Sequence, residues 1–264
     1  MIDIHCHLNF PQFDNDLEEV IKRAADNGVE KIVNVGTSIK ESEKVIRLSQ
    51  KYENLYAIIG IHPHDADKLD KNWLEKLEEL TKNPKVIGIG EIGLDYFQAD
   101  LGRSVDHEIQ KEVFKKQIEL SIKLKLPLQI HSRKASDDII EILKTYKKEL
   151  LEIPGMFHCM AGDLNYLKNV LELGFYIGFD GNITYKGLAP GENTMLSALA
   201  ENTPLEKTVI ETDAPFLTPI PHRGGRNEPS YVIITANSIA KIKGTSFDEV
   251  NKQTSENSKK IFKL

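Results

Sequence analysis

Cysteine is scarce in this chain: Cys6 and Cys159 are the only two in 264 residues. Two thiols exclude a disulfide-built scaffold and suit a reducing compartment. Long apolar runs are missing as well. No stretch approaches the ~20 apolar residues that a membrane span needs. The N-terminus, Met1-Ile2-Asp3-Ile4-His5, has no basic segment leading into an apolar one, so no signal peptide is expected. Positive charge is not in excess: 34 Lys and Arg against 40 Asp and Glu leave a formal net charge of -6. That excludes a broad basic field for duplex nucleic acid or anionic membrane, but not a phosphate held by a local cation. Arginine is the rarer basic residue, confined to Arg23, Arg47, Arg103, Arg133, Arg223 and Arg226. With 40% hydrophobic and 28% charged residues, the composition is that of a globular, cytoplasmic protein.

Short β-branched and apolar runs recur along the chain, at 2–5, 31–36, 55–60, 85–90, 127–131, 155–158, 175–178 and 208–211. Their near-continuous Ile, Val, Leu, Phe and Tyr content suits strands buried on both faces. Between them lie amphipathic stretches with helical spacing, such as Leu17, Val20, Ile21 and Ala24, or Val113, Gln117, Leu120 and Leu124. Asp163 is placed to cap a helix carrying Leu164, Leu167, Val170 and Leu171 that ends at Gly174. Further helical patterns cover 136–150, 193–201, 231–242 and 247–262. Eight strand–helix units over this length predict an α/β (β/α)8 TIM barrel as a single domain over 1–264. A doubly wound open sheet is the runner-up, but Gly88-Ile89-Gly90-Glu91-Ile92-Gly93 sits too far along the chain for a dinucleotide fingerprint. The longest irregular stretches are expected at 99–106 and 181–192.

In a barrel, catalytic residues come from the C-terminal ends of several strands. Seven of the eight histidines fall at or beyond predicted strand ends, and only His107 lies in a predicted helix. Strand one ends in His5-Cys6-His7, strand three runs into His62-Pro63-His64, and strand four ends in Glu91. Strands five and six end in His131 and His158, and strand eight in Glu211-Thr212-Asp213. Residues two apart on an extended chain point the same way, so His5 and His7 can face one cation. Cys6 then turns away into packing, and alternation turns Cys159 away likewise. His5, His7, Glu91 and Asp213 make one nitrogen–oxygen metal site, and Glu91, His131 and His158 make a second. Glu91 alone serves both, so it reads as a bridging carboxylate. Imidazole with carboxylate suits zinc, manganese or iron better than calcium, and two divalent cations are expected, zinc, manganese, magnesium or iron. Arg133 follows His131 by two and faces the same mouth. Arg223 and Arg226 lie in the glycine-bearing segment 221–227 after strand eight, where barrels often bind phosphate.

Seven ordered stretches resemble the TatD family of metal-dependent hydrolases, within the amidohydrolase superfamily. They are Asp3-Ile4-His5-Cys6-His7-Leu8, Gly60-Ile61-His62-Pro63-His64, Gly90-Glu91-Ile92-Gly93-Leu94-Asp95-Tyr96, Gln129-Ile130-His131-Ser132-Arg133, Gly155-Met156-Phe157-His158-Cys159, Glu211-Thr212-Asp213-Ala214-Pro215-Phe216-Leu217-Thr218-Pro219 and Arg226-Asn227-Glu228-Pro229. The resemblance implies a barrel with a binuclear metal site that hydrolyses phosphodiester bonds of nucleic acid. It matches His5, His7, Glu91 and Asp213 to one metal, and Glu91, His131 and His158 to the other. His62 and His64 match a motif near the substrate. The chain departs from the family at Met160 and Ala161, at Phe216 where Tyr or Trp is common, and at Gly225 where Lys is frequent; none of these is a proposed ligand.

The leading expectation is therefore a 3′–5′ exodeoxyribonuclease acting on nucleic acid ends, DNA and possibly RNA. A metal-activated water attacks phosphorus, Asp213 and Glu91 are the catalytic carboxylates, and His62, His64, Arg133 and Arg226 contact substrate. The same site suits an amide or ester, for example an aminoacyl-tRNA ester, because function lives in the rim. A non-catalytic metal-binding scaffold ranks below both. No membrane partner is expected, and the oligomeric state is open.

Overall fold

The computed structural model describes residues 1–97, 105–189 and 191–264. Eight strands form one parallel sheet in chain order: β1 (Ile2–Cys6), β2 (Lys31–Gly36), β3 (Leu55–Ile59), β4 (Val86–Asp95), β5 (Leu128–Arg133), β6 (Gly155–Phe157), β7 (Tyr176–Phe179) and β8 (Thr208–Ile210). The two edges meet. Asp213 N donates to His5 O (2.9 Å) and His7 N to Ala214 O (2.7 Å), with a parallel bridge between Cys6 and Ala214. Inside this seam Asp3 is fully buried and accepts from Thr212 N (3.0 Å) and Thr212 Oγ1 (2.6 Å). The fold is a (β/α)8 barrel.

Helices α1 (Leu17–Asp26), α2 (Ile39–Lys51), α3 (Trp73–Leu80), α4 (His107–Leu124), α5 (Ser136–Tyr146), α6 (Leu164–Glu172), α7 (Leu196–Asn202) and α8 (Val232–Lys243) alternate with the strands, and α9 (Phe247–Phe262) follows. Asp163 caps α6 as its spacing predicts, accepting from Tyr166 N at 2.7 Å. No helix among the described residues is long and apolar enough to cross a membrane. Of the two irregular stretches expected, residues 99–104 lie outside the described residues. The other begins with a 3-10 turn, Gly181–Thr184.

Apolar side chains form two layers. The outer one joins the helices to the sheet, with Phe13, Leu55, Phe114, Phe157 and Phe175 at or near zero exposure. The inner one fills the barrel: Ile2, Ile4, Val33, Val35, Ile58, Met156, Tyr176 and Val209 pack with Ile261 and Phe262 at the end of α9. This inner layer is a floor. It leaves the C-terminal ends of the strands as the open end of the barrel.

The strand ends predicted from sequence shift by a residue or two, except in β4. That strand does not stop at Gly90 but runs on to Asp95, pairing Gly93 with His131 and Asp95 with Arg133. Gly93 allows this close approach: with φ at 145°, a Cβ there would sit 1.9 Å from His131 O. A glycine that reads as a break in sequence is here what keeps β4 and β5 in register.

Candidate active site

His5 and His7 project from the end of β1 toward one point, with their Nε2 atoms 3.0 Å apart. Cys6 between them is buried and turns outward, its Sγ 3.6 Å from Val33 O. Asp213 Oδ1 lies 3.5 Å from His5 Nε2 and 3.4 Å from His7 Nε2. Glu91 Oε2 lies 3.7 Å from each. The other oxygen of Glu91 faces a second group: Oε1 is 2.7 Å from His131 Nδ1, 3.0 Å from His158 Nε2 and 3.6 Å from His62 Nε2. The structure thus brings His5, His7, Glu91, His131, His158 and Asp213 together, with Glu91 between two sets of imidazoles.

The first set fits a cation. His7 Nδ1 is 2.9 Å from Val35 O, and that carbonyl can only accept, so Nδ1 carries the proton and Nε2 presents a lone pair. His5 Nε2, His7 Nε2 and Asp213 Oδ1 then surround one point, separated by 3.0 to 3.5 Å, and Glu91 Oε2 stands 3.7 Å from each imidazole nitrogen. Four ligands at about 2.1 Å around a tetrahedral cation have edges of about 3.4 Å. Among the described residues three groups could hold a cation: His5, His7 and Asp213; His62, Glu91 and His131; and His5, His158 and Glu211.

Burial and charge act against each other here. Desolvation pulls His5 well below the ordinary imidazole value, and the neighbouring His158 adds to it. Burial disfavours the Glu91 carboxylate too, but His158, His62 and His131 outweigh it and hold Glu91 well below the usual range. His131 rises to about 8 because hydrogen bonds to Asp95 and Glu91 overcome its burial. Glu91 is therefore a buried anion in a ring of imidazoles.

Several functional neighbours escape sequence reasoning. Asp95 is 1% exposed, lies 2.9 Å from His64 Nε2 and is within hydrogen-bonding distance of His131 Nε2 (3.2 Å). Its signal was period two: Glu91, Gly93 and Asp95 share a face once β4 is extended. Glu211 is fully buried, accepts from Cys159 N at 2.6 Å and lies 3.6 Å from His158 Nδ1. Gly178 makes room for it, since a Cβ there would meet Glu211 Oε1 at 2.6 Å. Gln129 sits in the barrel interior, donating through Nε2 to Ile4 O at 2.9 Å. Its carboxamide bears on His5, raising that imidazole against the pull of burial. Burial, with Glu211 and Asp213 nearby, pushes Asp180 up to about 7.

A cavity of about 670 Å³ opens over the cluster, lined by His7, His62, His64, Glu91, Asp95, His131, Arg133, His158 and Asp213, with Phe10 and Phe216 at its mouth. His62, His64 and Arg133 are thus where the sequence places them. Arg133 also lies over the Phe97 ring, 4.0 Å from its centroid.

Two expectations are corrected, those for Arg226 and Cys159. Arg226 does not line the cavity. Its guanidinium forms two 2.7 Å contacts to Asp16, donates to Gln12 O at 2.6 Å and lies over the Phe13 ring. The Asp16 carboxylate takes up the fork that a substrate phosphate would need. Cys159 does line the cavity. β6 ends at Phe157 and Cys159 has φ of 46°, so strand alternation no longer governs its direction. His222 stacks on Tyr231, with centroids 4.4 Å apart, and takes no part in the cluster.

Imidazoles and carboxylates gathered at the C-terminal mouth of an eight-stranded barrel define the class of barrel metallohydrolases. Comparison with known proteins narrows this. The model of the TatD-related DNase family matches residues 2–263, and the chain belongs to that family. The chain is 39% identical over 264 residues to the uncharacterized metal-dependent hydrolase YabD of Bacillus subtilis, covering 100% of this chain and 99% of that protein. It is 31% identical over 271 residues to the 3′-5′ ssDNA/RNA exonuclease TatD of Edwardsiella piscicida, covering 100% of both. The crystal structure of the TatD homologue YjjV from Escherichia coli superposes with a TM-score of 0.90 at 30% identity, covering 100% of this chain and 98% of that one.

Proposed function

We propose that this chain, a single domain over residues 1–264, is a two-cation exonuclease that trims single-stranded DNA or RNA from the 3′ end. The carrying observation is Glu91, whose two oxygens face two different sets of imidazoles at the closed end of one cavity. In this reading His5, His7, Glu91 and Asp213 hold one cation, and Glu91, His131 and His158 hold the other. Such a pair of cations supplies Lewis acidity and an acidified water at neutral pH.

The residues of the chain do the rest. Asp213, with Oδ1 turned to His5 and His7, accepts the proton of the attacking water on its other oxygen, Oδ2. The water oxygen bonds to phosphorus, and the bond to O3′ of the penultimate sugar breaks. His7 stays in its Nδ1–H form through Val35 O. Asp95 orients His131 and His64 from behind. Arg133, on the cavity wall, meets the phosphate charge. A floor closed by Ile261 and Phe262 admits an end rather than a through-running duplex. The name of the Edwardsiella relative supports this substrate class.

One observation favours an ester or amide instead. With Arg226 paired to Asp16, Arg133 is the one arginine or lysine among the described cavity-lining residues, beside Asp65, Asp95 and Glu192. A 5′-labelled oligonucleotide decides between the readings. After EDTA and reloading with manganese or magnesium, stepwise shortening that disappears in Glu91→Ala and Asp213→Asn supports the nuclease. Phosphodiester turnover that survives both substitutions overturns the mechanism. An intact oligonucleotide beside turnover of an ester or amide panel selects the second reading.

A further inference from the structure

The turn that carries Asp213 into the cavity also sets Phe216 at its mouth. Phe216 N donates to Asp213 O at 2.8 Å. Asn227 Nδ2 pins the same turn, donating to Phe216 O (2.6 Å) and Thr212 O (2.7 Å). Asp213 and Leu217 both hold positive φ, 54° and 53°, a region that L side chains seldom adopt. This constrained, well-anchored turn leaves a phenylalanine 46% exposed. Phe216 stands edge-on to Phe10, with centroids 6.0 Å apart, and Phe10 in turn stacks on the His7 imidazole at 4.8 Å and 13°. An aromatic wall therefore rises directly from a residue of the catalytic cluster.

The strand order sets this wall apart from the charged lining. Phe10 follows β1 and Phe216 follows β8, which are neighbours across the seam. Arg133 ends β5, across the mouth, and His64 and Asp65 follow β3. The cavity's arginine thus stands on one side and an exposed π face on the other, with the imidazole–carboxylate cluster between. The volume of about 670 Å³ is within the range of a pocket for one small ligand.

We infer that Phe216, backed by Phe10, forms a nucleobase-binding subsite: its ring stacks on the base of the terminal nucleotide while that nucleotide's phosphate reaches the cluster. This rests on the nuclease reading above and gives it a basis for substrate choice. Stacking is tolerant of sequence, because every base has a π face. A base lying on Phe216 has left its neighbour's stack and its pairing partner, so the subsite favours single-stranded ends over duplex.

The test compares dAMP with 2-deoxyribose 5-phosphate, which keeps the phosphate and lacks the base. Calorimetry on the metal-loaded wild type is expected to show dAMP binding about 5- to 150-fold tighter, the factor that base–aromatic stacking supplies. Phe216→Ala should bring that ratio toward one, and Phe216→Trp should retain it. Phe216→Leu, apolar but without a π face, should lose it. Equal wild-type affinity for the two probes, absence of dAMP binding, or a leucine variant equal to wild type overturns the subsite. The 5′-labelled oligonucleotide reports on the nuclease reading separately. If it stays intact with metal-loaded wild type, that reading fails, whatever the dAMP ratio shows.

Discussion

The two ends of the barrel share eight strands and differ in what fills them. At the floor, Ile2, Ile4, Val33, Ile58 and Val209 meet Ile261 and Phe262 from α9, all within a few per cent of full burial. At the mouth the same strands end in His5, Glu91, Asp95, His158 and Glu211, which are buried almost as deeply but are polar. Apolar burial stabilises in proportion to area. Polar burial costs free energy unless each group finds a partner. Several here do not: His5 Nδ1, His158 Nδ1, Asp180 Oδ2 and Glu211 Oε2 lack a hydrogen bond. The contrast shows a division of labour along each strand. Its first residues hold the barrel together, and its last ones are kept buried and polar at a cost in stability.

The largest expected effect comes from removing the carboxylate that joins both sets of imidazoles. Glu91→Ala should lower hydrolytic activity by more than the roughly 100-fold that loss of an outer metal partner costs. Metal content of the purified protein should fall with it, while the thermal midpoint stays within a few degrees. A collapse of the midpoint would mean that Glu91 serves the barrel's stability instead, and the division between the two ends would be wrong. The reciprocal substitution is Phe262→Ala at the floor. Its cavity should cost about 3–5 kcal/mol, lowering the midpoint by about 6–20 °C. Metal affinity, read by titration below the transition, should not change. If it does, floor and mouth are coupled through the strands.

How far each end is legible in sequence follows from the same contrast. The fold is legible because β-branched runs and helical spacing recur eight times, and strand ends then mark the mouth. His5 with His7 is legible once alternation is set beside the ligand residues at the other strand ends. Partner choice is not. Asp95 is hidden because Gly93 looks like a strand breaker until its pairing with His131 is seen. Glu211 reads as a strand residue, yet the absent side chain of Gly178 lets it reach behind His158. Cys159 departs from alternation because the chain has already left β6. Arg226 misleads most: a scarce guanidinium in a glycine-bearing loop suits a phosphate, and only the fold reveals Asp16 beside it. Long-range pairing of this kind has no period to read.

Gln129 sharpens the comparison from the boundary between the two ends. It lies on β5 two residues below His131, with Nε2 donating to Ile4 O and also near Met156 Sδ. Gln129 Oε1 and His5 Nδ1 are both buried with no hydrogen-bond partner among the described residues. The Gln129 carboxamide bears on the His5 imidazole, and it is expected to keep the proton on Nδ1 and the Nε2 lone pair toward the cluster, the part that Val35 O plays for His7. Gln129→Leu should therefore weaken metal binding by about 10- to 100-fold, with a thermal midpoint close to wild type because the interior stays filled. Nitrogen NMR of the metal-free variant should show His5 losing its single tautomer. An unchanged tautomer with unchanged metal affinity would make Gln129 part of the floor.

The smallest effect concerns the guanidinium that looks most like a phosphate ligand. Arg226 and Arg23 tie the segment after β8 to α1 through Asp16 and Glu228. Burial works against the Glu228 carboxylate, but hydrogen bonds from Arg23 and Ser230 outweigh it and leave Glu228 below its ordinary value. Asp16 is lowered chiefly by its hydrogen bonds with Arg226. A carboxylate whose folded value is depressed adds stability that is fully present above its unfolded value. That stability is lost as pH falls through the folded value. Arg226→Ala should then cost about 1 kcal/mol or less at pH 7, since both partners are partly solvated. The matching drop in thermal midpoint is about 2–4 °C. The gap between variant and wild type should narrow below about pH 4, where Asp16 begins to protonate. KM for an oligonucleotide should stay unchanged. A several-fold rise in KM at an unchanged midpoint would return Arg226 to the mouth, and would show that Asp16 releases it when substrate arrives.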